Sequence, residues 1–246
     1  LKIWLPLTLF SIWQITSLLY PNSYFPSISS IFGSSKEILQ LEWLNRNLLM
    51  SLKTVITGFL LGSLVGISCG FLISLNLRIK RAFLPIANFL RGLPSVAKVP
   101  LFIAIFGIGS ITRIATVTVA VFFVVLLSTI EGFGNPSIGH LELIKIWKLK
   151  RLHKAFFITI PAAFPKIFSG LQSALQISVL VMVVSEMLGS GLGVGAYIFQ
   201  AQSTFNIVQM WNGIFLLGTL GILLNYLFLY VERKFMPWNR HIGRDF

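Results

Sequence analysis

Residues 142–161 read ELIKIWKLKRLHKAFFITIP. A carboxylate, Glu142, is followed by Leu143 and Ile144, with Lys148 six residues after it, and the stretch closes on Ile158-Thr159-Ile160-Pro161. Lys145, Lys148, Lys150, Arg151 and Lys154 make the segment basic, and it joins two long apolar runs. A basic connector between apolar runs is the pattern of a cytoplasm-facing loop in a multi-span membrane protein. Taken alone, the same segment also reads as a basic amphipathic stretch lying on anionic lipid. Pro161 suits the first position of the following helix, where its missing N–H has no intrahelical partner to lose.

The rest of the chain fits that reading. Of 246 residues 55% are hydrophobic and only 11% charged, yet the net charge is +13. A soluble domain of this length carries far more charge. Nucleic-acid binding needs Lys and Arg gathered on a folded polar surface, whereas here they sit in short clusters between apolar runs. The single cysteine, Cys69, lies inside an apolar run, so neither an internal disulfide nor a Cys-based metal site is expected. It reads as a small packing residue.

Crossing the hydrocarbon core takes roughly 20 apolar residues. About six spans are expected: Trp4–Tyr20, Leu48–Leu75, Ala82–Phe106, Ile114–Ile130, Phe164–Leu188 and Val208–Val231. The first has no small-x-small cleavage site and is expected to remain as a span. Leu1 leaves room for native residues before it. One set of loops holds Lys2, Arg78, Lys80, Arg81, the 142–161 cluster, Lys166, Arg233, Lys234, Arg240 and Arg244; the other holds Lys36, Arg46, Lys53 and Arg113. The asymmetry predicts that both termini and the 131–163 loop are cytoplasmic. Ile38, Leu39, Leu41, Trp43 and Leu44, interspersed with Lys36, Glu37 and Glu42, predict a short interfacial helix on the outer side.

Three charges within spans are candidate site residues. Arg91 and Lys98 lie seven residues apart in the third span, on about one face of a helix. They could draw an anion, or Arg91 could snorkel towards the cytoplasm, or Lys98 could partner an acid such as Glu186. For Glu186 a structural pairing is favoured over substrate contact. Gly189, Gly191, Gly193 and Gly195 superficially suggest a phosphate loop, but the spacing is not G-x-G-x-x-G and no strand precedes it, so a re-entrant turn is expected. No G-x-x-x-x-G-K-[ST] occurs, which argues against ATP binding through a P-loop. His140, His153 and His241 have no carboxylate or Cys at ligand spacing, and no Ser/His/Asp set is persuasive, so no metal and no catalytic residue is expected.

Several stretches together resemble the integral membrane permeases of ABC importers of the nitrate/sulfonate/taurine/bicarbonate type. They are Ser51-Leu52-Lys53-Thr54-Val55-Ile56-Thr57-Gly58-Phe59, Arg91-Gly92-Leu93-Pro94-Ser95-Val96-Ala97, Val99-Pro100-Leu101-Phe102 and Phe106-Gly107-Ile108-Gly109. Ser185-Glu186-Met187-Leu188-Gly189, Gly191-Leu192-Gly193, Glu232-Arg233 and Pro237-Trp238 extend the resemblance, so that it covers about Ser51 to Trp238. The 142–161 segment resembles the "EAA" coupling loop of that family. Leu143 and Ile144 stand where the family has Ala-Ala, and Lys148 stands where it has the turn Gly. A positive-φ turn there would cost Lys backbone energy. The substitutions are also compatible with one unequal half of a heterodimer.

The resemblance implies an all-α integral membrane protein of the type I ABC importer permease fold. Residues 1–46 would hold the first span and the external interfacial segment; residues 47–246 would form the core. Glu142, Leu143, Ile144, Lys148, Ile158, Ile160 and Pro161 would dock on ATPase subunits, and Arg91, Lys98 and Glu186 would line the substrate pathway. Implied partners are two ABC ATPases carrying ATP and Mg, a second permease subunit, identical or paralogous, an extracytoplasmic substrate-binding protein, and lipid. The implied location is the bacterial inner membrane, and the implied cargo a small anion. The chain itself would bind no cofactor and catalyse no reaction. A secondary transporter or channel without an ATPase is the alternative; few acids are present for a proton or sodium relay. A membrane enzyme would need convergent His and acids that the sequence does not offer.

Overall fold

The computed structural model describes residues 4–20, 22, 24–36, 38, 40–134, 159–189 and 191–236. Among them the regular structure is helical. Helix α1 runs Trp4–Leu19 and α2 Ile28–Gly33; α3 spans Leu41–Ser74, α4 Leu77–Gly92 and α5 Val99–Phe106. Helix α6 is Ser110–Gly134, α7 Ile160–Leu188, α8 Val194–Ser203 and α9 Ile207–Phe235. Helices α3, α6, α7 and α9 are each long and apolar enough to cross a membrane. The α4–α5 pair makes a fifth if counted as one span, and α1 is a shorter apolar helix of 16 residues.

Helix α6 is the centre of the bundle, packed between α3 and α7. Val117, Val121 and Val125 on α6 meet Val55 on α3 and Ala174, Val181 and Met182 on α7, with Leu220, Leu224 and Phe228 of α9 closing the cluster. Lipid tails are as apolar as these side chains, so close packing rather than water exclusion must hold the helices together. Sequence spacing provides for it. Gly58, Gly62, Gly66 and Gly70 recur every fourth residue and so share one face of α3. A Cβ on Gly58 would lie 2.6 Å from Val117 Cγ1, and one on Gly62 2.8 Å from Val121 Cβ. The backbones of α3 and α6 therefore approach more closely than any side chain allows.

The third span departs from expectation. Residues 82–106 do not form one helix: Leu77–Gly92 and Ser95–Phe106 meet at 87°. The cause is local. Pro94 disfavours helical geometry at Leu93, which is extended (φ −68°, ψ 124°) and ends α4. A short 3-10 turn, Ser95–Lys98, then leads into α5, which Gly107 ends at φ 75°. The segment expected to form an interfacial helix also differs. In place of a separate interfacial helix, Leu41–Trp43 runs through a π-helical turn at Leu44–Leu48 directly into Leu49–Ser74. Asn47 Nδ2 donates to the Trp43 carbonyl at 3.2 Å across that turn.

Helix α1 is almost entirely exposed. Aromatic contacts tie it to α9, where Trp13 lies 4.8 Å from Trp211 and 5.8 Å from Phe215, and to Phe25, between α1 and α2, at 4.7 Å, centroid to centroid. Trp13 Nε1 also donates to the Pro26 carbonyl at 3.1 Å.

Candidate functional site

Two polar sites lie at opposite ends of the bundle. The first is built on Glu186, in the last turn of α7 and fully buried. Ser51 Oγ on α3 donates to both of its carboxylate oxygens, at 2.9 and 2.8 Å. The Gly195 N–H donates to Oε2 at 2.9 Å, and the Val194 N–H donates to Ser51 Oγ at 2.9 Å. Val194 begins α8, so the carboxylate and the hydroxyl satisfy N–H groups that have no partner within that helix. A negative charge there also faces the positive end of the α8 dipole. Gly193 is left-handed (φ 105°), and a Cβ on it would run into the Glu186 carboxyl group. Arg113, 3% exposed at the start of α6, donates from Nη1 to the Leu192 carbonyl at 3.1 Å and interacts electrostatically with Glu186. Its Nε has no hydrogen-bond partner among the described residues.

The second site follows from the broken third span. Pro94 has no N–H to give to the carbonyl four residues earlier, so Leu90 O would be left unpaired at the end of α4. Lys98 Nζ donates to it at 2.9 Å. The same ammonium lies 5.4 Å from the centre of the Phe123 ring, within cation–π range. Lys98 thus finds polar company without an acid, and no Lys98–Glu186 ion pair forms among the described residues. Arg91 and Lys98 still meet, because both line one cavity of about 370 Å³ between the α4–α5 break, α6 and α7. Lys166, Glu131, Ser128 and Ser169 share its wall. Lys166 Nζ lies 3.0 Å from Glu131 Oε2.

Sequence reading therefore grouped residues that the fold separates. Arg91 and Lys98 share the cavity, whereas Glu186 sits in the other site. Ile160 and Pro161 open α7; Glu142, Leu143, Ile144, Lys148 and Ile158 fall outside the described residues, as do Pro237, Trp238 and the three histidines. Sequence reading missed Arg113 and Ser51 as partners of Glu186, and Lys166 and Glu131 as cavity residues. It also missed α8, taking Gly189–Gly195 as no more than a turn. One signal was available: a cation, Arg113, and a carboxylate, Glu186, at the facing ends of two consecutive apolar runs. Among the described residues, no group of three or more His, Cys, Asp and Glu side chains could hold a metal ion.

Residues 58–237 match the family described as binding-protein-dependent transport system inner membrane component. The chain belongs to that family. It is 29% identical over 187 residues to a nitrate import permease protein of Leptolyngbya laminosa, covering 76% of this chain and 67% of that one. It is 26% identical over 234 residues to a bicarbonate transport system permease protein of Synechococcus elongatus, covering 90% and 84%. In fold it is similar to a chain of the MetNI methionine ABC transporter. The TM-score is 0.65 at 19% identity, over 85% of this chain and 100% of that one. The fold is thus that of a type I ABC importer permease.

Proposed function

We propose that this chain is the membrane subunit through which an ABC importer passes a small oxyanion, nitrate or bicarbonate being the model cargoes. A sulfonate or taurine-like anion belongs to the same chemical class. The observation that carries the proposal is the meeting of Arg91 and Lys98 in one cavity at the break of the α4–α5 span. Cations within a membrane bundle are costly unless they serve a pathway or are satisfied, and Lys98 keeps donors to spare after bonding Leu90. The relatives' named cargoes, nitrate and bicarbonate, are planar oxyanions that such donors suit.

On this reading residues 47–246 are the transporting core, working as a pair with a second permease subunit, identical or paralogous. A binding protein delivers the anion on the outer side. Two ATPase subunits, carrying ATP and Mg, grip the 142–161 segment on the cytoplasmic side of the bacterial inner membrane. Both chain termini then lie on that side as well. Glu186 is a fastening of the outer end rather than an anion ligand, since two like charges repel.

The coupling proposal is tested by Glu142→Arg in the co-purified complex, reconstituted into proteoliposomes with its binding protein. The expected result is loss of cargo-stimulated ATP hydrolysis by about tenfold, with the permease still inserted. Normal stimulated turnover would remove Glu142 from the coupling surface. Failure of any ATPase to co-purify would favour a transporter without one.

A further inference from the structure

Three cations and one carboxylate line the cavity at the α4–α5 break: Arg91, Lys98, Lys166 and Glu131. The charges have different commitments. Lys98 spends one N–H on Leu90 O and keeps two donors. Lys166, in the second turn of α7, is engaged by Glu131, in the last turn of α6. Both side chains of that bridge are about half exposed, at 54% and 51%. Half-exposed ion pairs are weak and readily exchanged. Ser128 and Ser169 add hydroxyl donors to the wall. A Cβ on Gly170 would collide with Ser128, so α6 and α7 are held together at that point and the hydroxyls keep their place. The volume, about 370 Å³, lies within the range of about 300–1,000 Å³ typical of small-molecule sites.

We propose that this cavity is an oxyanion-binding station in which Lys166, released from Glu131, joins Arg91 and Lys98 as a third cationic ligand, with Glu131 acting as the competing anion that the cargo displaces. The inference rests on the importer reading above and adds to it a ligand set and a specificity device. Glu131 returns to Lys166 when the anion leaves, so the station holds its cargo without retaining it. Only a solute bearing a full negative charge can replace a carboxylate on Lys166; a neutral solute of the same size gains nothing there. The donors are a planar guanidinium, two ammonium groups and hydroxyls, which together suit the several acceptor oxygens of nitrate, bicarbonate or a sulfonate.

The test is direct binding of sodium nitrate and sodium ethanesulfonate to the full chain in nanodiscs, in chloride-free buffer, by calorimetry. Glu131→Gln is expected to tighten binding about three- to tenfold, because it removes the competitor and a repelling charge. Lys166→Gln and Arg91→Gln are expected to weaken it about tenfold each. Lys234→Gln removes a cation that lies outside the cavity and is expected to change nothing. Equal binding by wild type, Glu131→Gln and Lys166→Gln overturns the proposal. So does a Lys234→Gln loss equal to that of Lys166→Gln, which would mean a diffuse positive field. Absence of binding of both anions to the wild-type chain overturns it too. Glu131 and Lys166 are exposed enough for both variants to fold, and a melting temperature matching wild type verifies that. Anion binding with this variant pattern but without ATP-driven uptake would leave the station standing and remove the importer reading. Uptake without the variant pattern would do the reverse.

Discussion

Glu186 shows how a buried charge can be tolerated within a membrane bundle. Its oxygens accept from Ser51 and from the Gly195 N–H, and Arg113 acts on it electrostatically. Removing one member of such a set strands the others, at a cost of about 3–5 kcal/mol for a buried charge pair. We expect Glu186→Ala to lower the melting temperature in detergent by several degrees. Glu186→Gln should fall between that variant and wild type, because it keeps the shape but offers one acceptor oxygen in place of two. If the Gln variant folds, its KM for nitrate uptake should match wild type. A wild-type melting curve for Glu186→Ala would contradict the structural assignment, and a raised KM in the Gln variant would return Glu186 to the pathway. Lys98 gives the complementary lesson. Its charge stood out in the sequence, but its partner is a backbone carbonyl that Pro94 leaves unpaired, and side-chain inventories do not reveal such a partner.

At the scale of elements, four long spans were legible from apolar length alone: α3, α6, α7 and α9 need only composition to be found. The breaks were harder. Leu93-Pro94 sits inside a run that is apolar enough to pass for one helix, and only the backbone restriction before proline turns it by 87°. Helix α8 was missed because its 10 residues are short of a span and its start is fixed by Glu186 and Ser51, which are distant in sequence. The glycine face of α3 makes an element-scale prediction. Gly62→Leu should push α3 off Val121 and Thr118, giving misassembly or a large drop in melting temperature. Gly221→Leu on α9, where nothing lies within 4 Å of an added Cβ, should leave the monomer's stability within about 0.5 kcal/mol. Equal melting of the two variants would mean that close α3–α6 approach is not what holds the bundle.

For the whole molecule, the sequence motifs pointed to the permease family, and residues 58–237 carry that membership. The composition of the two polar sites was not legible, because which charges meet depends on helix rotation. Arg91 and Lys98 line one cavity with the chain bent between them, and Lys166 and Glu131, thirty-five positions apart in sequence, join them from α7 and α6. The arrangement places a fastened, carboxylate-centred cluster at one end of the bundle and an open, cation-rich cavity at the other. The central claim is that an anion crosses through this subunit at the expense of ATP. It is tested most directly by nitrate uptake into proteoliposomes holding the purified complex and its binding protein, with ATP supplied on the ATPase side. The account predicts saturable uptake that requires ATP and that Arg91→Gln reduces about tenfold. Uptake that proceeds equally without ATP, or that is indifferent to Arg91, would contradict it.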